Sequence, residues 1–167
     1  NMSTGDIREF DRWRTIEIHC GYAIELTQNR EPDLHGIAMR LQAECDRRFN
    51  RKADAIKKYR SLTTVYPDVY VNLMQSHVND GDLDAAKRYA DRVNELFIEA
   101  EANQDNEAVE YVMGPRQYMH WANAHVLQDD FLTAANVLER GLQRFPADDD
   151  IRRRMDALLS EHVRRLG

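Results

Sequence analysis

The sequence predicts an all-α fold of about eight helices, on three observations. Apolar residues recur at steps of three and four along nearly the whole chain, the spacing that gathers them on one side of a helix. No segment alternates with a strand's period of two over a useful length. Only 7 Gly and 4 Pro among 167 residues leave little material for the turns of a sandwich or barrel.

The elements follow in order. Phe10, Trp13, Ile16, Cys20, Ala23 and Leu26 or Thr27 make the first stripe, and Asn29-Arg30-Glu31-Pro32-Asp33 breaks it, because the residue before a proline disfavours helix. A second stripe is Leu34, Ile37 or Ala38, Leu41 and Cys45. Phe49-Asn50-Arg51 turns the chain into a third, with Ala55, Ile56, Tyr59 and Leu62, ended by Tyr66-Pro67-Asp68. The fourth holds Tyr70, Leu73, Met74, His77 and Val78 and stops at Asn79-Asp80-Gly81-Asp82. A long segment from Leu83 to about Asn103 carries Ala86, Tyr89, Ala90, Val93, Phe97 and Ala100. Pro115 opens the next, since its missing N–H is unpaired in a first helical turn anyway, and Tyr118, Trp121, Ala122, His125 and Val126 follow. The last two run from Phe131 to Leu142, closed near Pro146, and from Ile151 to Leu166.

The helices repeat. Gly81-Asp82-Leu83-Asp84-Ala85-Ala86 and Asp129-Asp130-Phe131-Leu132-Thr133-Ala134 share one layout: a tight polar turn, a capping Asp, an apolar residue, then a small one. Asn50-Arg51-Lys52-Ala53-Asp54-Ala55 is a weaker copy. Two copies close on Tyr66-Pro67-Asp68 and Phe145-Pro146-Ala147-Asp148. A helix pair of this kind cannot bury its own apolar face, so neighbouring pairs must stack on it. In these residues the chain resembles the tetratricopeptide repeat family, a helix-turn-helix of about 34 residues. From Pro67 the matching positions are Tyr70, Leu73, His77, Gly81, Ala86, Ala90 and Val93; from Pro115 they are Tyr118, Trp121, Ala122, His125, Ala134, Leu138, Gly141 and Pro146. The pair before them matches in its second helix, through Ala55, Tyr59, Leu62 and Pro67, and in its first only if the turn is one residue longer.

The resemblance implies a right-handed α-solenoid forming a single domain over 1–167. Its parts are an N-terminal helix (3–30), a degenerate repeat (34–66), a repeat with an extended second helix or an insertion (67–113), a further repeat (115–147) and a capping helix (148–167). The turn at Gly81 lies 31 residues after Asn50 but 48 before Asp129, and the extra length falls between Leu96 and Met113. That stretch has no basic residue and is expected to be a solvated acidic helix, the alternative being a surface for a cation or a basic partner. If it is an insertion, Phe97 is expected to be at least half buried and Glu101, Asp105 and Glu107 solvated.

Composition narrows the function. A net charge of −6 argues against non-specific nucleic-acid binding, and no run of about 18 apolar residues would span a membrane. Two cysteines, Cys20 and Cys45, are too few for a disulfide framework, and with no recognisable leader the expected location is cytoplasmic. No Gly-rich phosphate loop and no G-x-S-x-G elbow is present, so neither an enzyme nor a cofactor is expected. His120 and His125 are five apart and do not share a helix face as an i, i+4 metal pair would; His77 and His125 are expected to pack in the core. Asn79-Asp80-Gly81-Asp82 lacks a calcium loop's sixth-position Gly and twelfth-position Glu and reads as a turn. Arg152-Arg153-Arg154 and Arg47-Arg48 read as solvated helix surface.

What remains is a binding surface. In the resembled family the first helix of each repeat lines a concave groove that holds a peptide or helix. Carried over by position, that groove comprises Val71, Asn72, Gln75 and Asn79, then Arg116, Met119, His120 and Asn123, with Arg40 and Arg47 from the first pair. Asn123 falls where the family often has an Asn bonding the ligand backbone. The expected function is a non-catalytic protein–protein interaction module, adaptor- or chaperone-like, whose partner is a protein or peptide. The second expectation is a structural subunit that self-associates into a homo-oligomer, or packs in a larger complex, through its helical faces.

Overall fold

The computed structural model describes residues 4–103 and 113–167. Among them are eight α-helices and no strand: α1 (Thr4–Thr27), α2 (Pro32–Arg48), α3 (Lys52–Leu62), α4 (Val69–Asp80), α5 (Leu83–Ala102), α6 (Pro115–Leu127), α7 (Phe131–Arg144) and α8 (Asp149–Leu166). The main helix contacts join sequence neighbours, as in helical repeats: α2 packs on α1 and α3, α6 on α5 and α7, and α8 on α7 and α6. The chain divides into two compact units, Asn1–Ser76 and His77–Gly167, with the boundary inside α4. Asp105, Glu107 and Glu110 of the acidic stretch lie outside the described residues.

Three reversals share one geometry. In each, the last helical turn ends on a residue with positive φ: Asn50 (60°), Gly81 (77°) and Asp129 (60°). The next N–H donates to the carbonyl five residues back: Arg51 to Asp46 (2.7 Å), Asp82 to His77 (3.0 Å) and Asp130 to His125 (3.0 Å). The positive-φ residue's own N–H reaches the carbonyl three back, to Arg47, Val78 and Val126. This is the Schellman closure, and its last residue is also the N-cap of the following helix. Asp82 and Asp130 complete the cap with their carboxylates, accepting from Ala85 N–H and Thr133 N–H at 3.1 Å. The Asp46–Arg51 turn is therefore no longer than the other two. Asp46 aligns with His77 and His125, and the first helix of that pair looks degenerate because Gln42 stands where Leu73 and Trp121 stand.

In the first unit the α2 interior is built from small residues. Gly36, Ala38, Ala43, Cys45 and Asp46 are buried, whereas Leu34, Ile37 and Leu41 of the expected stripe are exposed. The reason is proximity: α2 lies between α1 and α3, and a Cβ at Gly36 would overlap the Tyr66 ring, whose hydroxyl donates to the Asp33 carbonyl at 3.1 Å. Phe10 also stays half exposed, edge-on to Phe49 at 5.2 Å, while Cys20 carries the buried side of α1. Asp46, 4% exposed, accepts from Arg51 Nε at 2.9 Å and from Lys58 Nζ, and Arg51 also pairs with Glu17 of α1. Arg48 lies 4.1 Å over the Trp13 ring. One charge cluster thus ties α1, α2 and α3 together.

The second unit relies on aromatic and small residues. Ala86, Ala90 and Ala134 are fully buried, and Phe97 is buried as expected. A Cβ at Gly141 would sit 3.0 Å from the Tyr118 side chain and 3.2 Å from Ile151, so α6, α7 and α8 meet closely at this glycine and a larger residue would press on both neighbours. α5 runs for 20 residues against 14 in α7, which accounts for the extra length as far as Ala102. Glu101 is not the solvated residue expected. It is mostly buried, accepts from Tyr118 Oη at 3.3 Å and pairs with Arg140, whose guanidinium covers the Trp121 ring at 4.7 Å. Its side chain lands on α6 and α7 because the helix continues past Phe97 instead of ending there.

The charge cluster generates a stability prediction. Asp46→Ala leaves Arg51 and Lys58 without their buried acceptor. Both cations reach solvent, so the loss falls below the roughly 3–5 kcal/mol of a fully buried pair, at about 2–3 kcal/mol. Urea denaturation of the full chain measures it.

Candidate functional site

α6 has two faces with different tasks. Pro115 occupies its first turn after the extended Gly114, and Tyr118, Trp121, Ala122 and Ala124 turn inward. Trp121 lies 6.4 Å from the rings of Phe97, Tyr118 and His125, and Tyr118 meets Phe145 edge-on at 6.4 Å. These contacts fix the rotation of the helix about its axis. The opposite stripe, at steps of three and four, is then Arg116, Met119, His120 and Asn123.

Arg116 is exposed and lies in the first turn, where the helix dipole presents its positive end. Met119 and His120 are half-buried. Burial, and secondarily the Arg116 charge, push the His120 pKa below the ordinary imidazole value, so the ring is neutral at pH 7. The Asn123 amide oxygen accepts from the Arg154 guanidinium of α8. Arg154 is half-buried, and among the described residues it has no carboxylate within ion-pair distance. Sequence reasoning missed it by grouping Arg152, Arg153 and Arg154 as one solvated cluster. The signal was there: Ile151, Arg154 and Leu158 recur at i, i+3, i+7, and Ile151 and Leu158 are the buried residues of α8.

The other expected positions have other surroundings. In the first unit Arg40 pairs with Asp68 at 2.7 Å beside the Tyr66 ring, and Arg47 pairs with Glu44 at 2.6 Å. Val71 is 7% exposed and offers a ligand almost no surface. Asn72 is half-buried and Gln75 exposed, while Asn79, in the second unit, is exposed at the end of α4. The structure thus brings Arg116, Met119, His120 and Asn123 onto one helix face and adds Arg154.

Other reactive groups are quenched by their surroundings. Burial raises the Cys20 pKa and, as the largest cause, pushes Cys45 up to about 11, so both thiols stay protonated near neutrality and are poor nucleophiles. Tyr59 is pushed up to about 12, chiefly by burial. Among the described residues no group of three or more His, Cys, Asp or Glu is arranged to hold a metal ion. No described helix is long and apolar enough to cross a membrane. His77 and His125 each face the Asp at the far end of their own turn, at 3.5 Å and 3.6 Å, and His77 stacks on Tyr89 at 5.4 Å.

The architecture and this face define the class: an all-α protein of sequentially packed helices that presents a polar, cationic helix face. No family model matches the chain, and no curated protein is significantly similar to it.

The His125 turn generates a pH prediction. Burial holds the His125 pKa below its ordinary value, Arg140 adds to this and Asp130 opposes it; Asp130 itself is lowered, mainly by its hydrogen bond to Thr133. A histidine whose folded pKa is depressed binds fewer protons folded than unfolded. Its contribution is therefore present above the unfolded value of about 6.5 and is lost as pH falls below it. His125→Phe, which keeps a ring in the site, should flatten the fall in thermal midpoint between about pH 7.5 and pH 5. Parallel curves for the two proteins would remove His125 from the acid response.

Proposed function

We propose that this chain is a non-catalytic, tetratricopeptide-like interaction module, cytoplasmic and adaptor- or chaperone-like, that holds a peptide segment or partner helix against α6. The right-handed stacking of that family is part of the proposal. One observation carries it: α6 is locked by aromatic packing on one face while its other face presents Arg116, Met119, His120 and Asn123 on a rigid element. The amide donates and accepts, the guanidinium offers a planar fork and the thioether an adaptable apolar contact. Co-purification of the untagged chain with its native partner, followed by titration with that partner, tests it. Asn123→Ala should weaken binding by about 1–2 kcal/mol, since a ligand group is left unpaired and Arg154 loses its positioning partner. Unchanged affinity would move the binding surface away from α6.

A second reading is favoured by α1. Ile18, Tyr22 and Leu26 recur at steps of four and are 52%, 62% and 70% exposed, on the side of the helix away from Cys20. An outward apolar stripe of this kind suits a structural subunit that self-associates or packs in a larger complex. Light scattering decides: a stable oligomer that Leu26→Glu converts to monomer assigns α1 to assembly, and a monomer at working concentration removes self-association.

A further inference from the structure

We infer that the α6–α8 face of the second unit takes an acidic, extended segment of a partner protein, with two carboxylates held by Arg116 and Arg154 and the peptide backbone at the Arg154 end met by Asn123. The inference rests on the interaction reading above and names the chemistry of its partner.

The first argument is an unbalanced charge. Elsewhere in the described residues, arginines on packed faces have a carboxylate: Arg48 has Glu9 and Glu44, Arg51 has Asp46 and Glu17, and Arg140 has Glu101. On α8, Arg152 pairs with Asp149 at 3.2 Å and Arg153 with Asp150 at 3.8 Å. Arg154, more buried than either, has only the neutral oxygen of Asn123. A partly desolvated guanidinium without a counter-charge is costly, and a ligand carboxylate removes that cost. Arg116 adds a second cation, at the positive end of a helix dipole, with no carboxylate paired to it among the described residues, and α6 contains no acidic residue. The chain as a whole carries −6, so this face is a local exception.

The second argument is geometry. Arg116 and Asn123 are seven residues apart on one helix face, about 10 Å of axial rise. A segment in the polyproline II conformation advances about 3.1 Å per residue with three residues per turn, so two acidic side chains three residues apart share one face and lie about 9 Å apart, close to that separation. Asn123 spends its oxygen on Arg154, which leaves its amide N–H groups to donate to a backbone carbonyl of the segment. Met119 lies between the two ends and suits an apolar side chain. A short flexible segment also meets only this patch, whereas a long polyanion such as nucleic acid would face the net negative charge of the rest.

Fluorescence anisotropy on the full chain tests the inference, with labelled Gly/Ser peptides carrying two Glu three positions apart, the same peptide with Gln, the same with Lys, and an apolar amphipathic peptide. The Glu peptide should bind at least about tenfold tighter than the Gln peptide, and more weakly as salt rises from about 50 to about 300 mM. Arg116→Gln, at an exposed position that leaves the core intact, should weaken it about tenfold. Arg154→Gln should do the same, and Arg154→Lys, which keeps the charge and much of the packing, should recover part of the loss. Arg88→Gln, an exposed α5 arginine away from this face, should change nothing. An equal loss from Arg88→Gln, or a single-stranded oligonucleotide binding tighter than the Glu peptide, overturns the inference. Binding of the apolar or Lys peptide instead, still sensitive to Asn123→Ala, overturns the charge assignment and leaves the interaction reading standing. Binding of none of the peptides, together with no co-purifying protein, overturns both.

Discussion

One backbone hydrogen bond organises each helix pair: the N–H that starts the second helix donates to the carbonyl five residues earlier, in the last turn of the first. The bond satisfies a helix-end carbonyl that would otherwise need water, and it fixes where the second helix begins. It needs a residue of positive φ just before the donor, a conformation that glycine adopts freely and that asparagine and aspartate tolerate. Asn50, Gly81 and Asp129 are these three residue types. The α1–α2 connection also has a positive-φ asparagine, Asn29, but there the Glu31 N–H reaches the Thr27 carbonyl four residues back, a different closure.

The same turn brings the side chains of its first and last residues together, and the two units use this differently. The turn of the first unit pairs Asp46 with Arg51, an ion pair that extends into the cluster with Lys58 and Glu17. The turns of the second unit place His77 opposite Asp82 and His125 opposite Asp130. Aspartate at the last position also caps the new helix, which arginine at position 51 cannot do; the α3 N-terminus accordingly has no side-chain cap. Polarity is reversed while the backbone stays the same. The first unit compensates for the missing cap with ion pairs, and the second joins its helices through Trp121, Phe97 and Tyr118.

The candidate binding face is a consequence of that second arrangement. Trp121 is packed on one side by aromatic rings and on another by Arg140, which Glu101 holds in place. α6 therefore cannot roll, and the residues half a turn away are presented in a set orientation. α8 contributes because Ile151 and Leu158 seat it on the same core, which carries Arg154 to Asn123. A face built this way has its ordering cost met by the fold before any ligand arrives.

Much of this was legible in the sequence. The periodicity of three and four determined the helices, because the backbone's hydrogen-bond geometry allows one residue-to-face mapping. The polar turns and capping aspartates set their limits, and Arg116, Met119, His120 and Asn123 followed from the helical spacing on α6. Other features depended on which neighbour each face meets, and local spacing does not encode that. Leu34, Leu41 and either Ile37 or Ala38 read as core, yet α2 lies close to Tyr66, and the smaller Gly36, Ala38, Ala43 and Cys45 are the residues buried there. Gln42 hid the register of the first pair, although its turn has the common hydrogen bonds. Glu101 read as solvent-facing until a longer α5 placed it against Arg140 and Tyr118. Arg154 read as one of three equivalent surface arginines; its distinct role arises because α8 packs on α6 as well as on α7, a contact between residues 31 positions apart that tertiary packing alone decides.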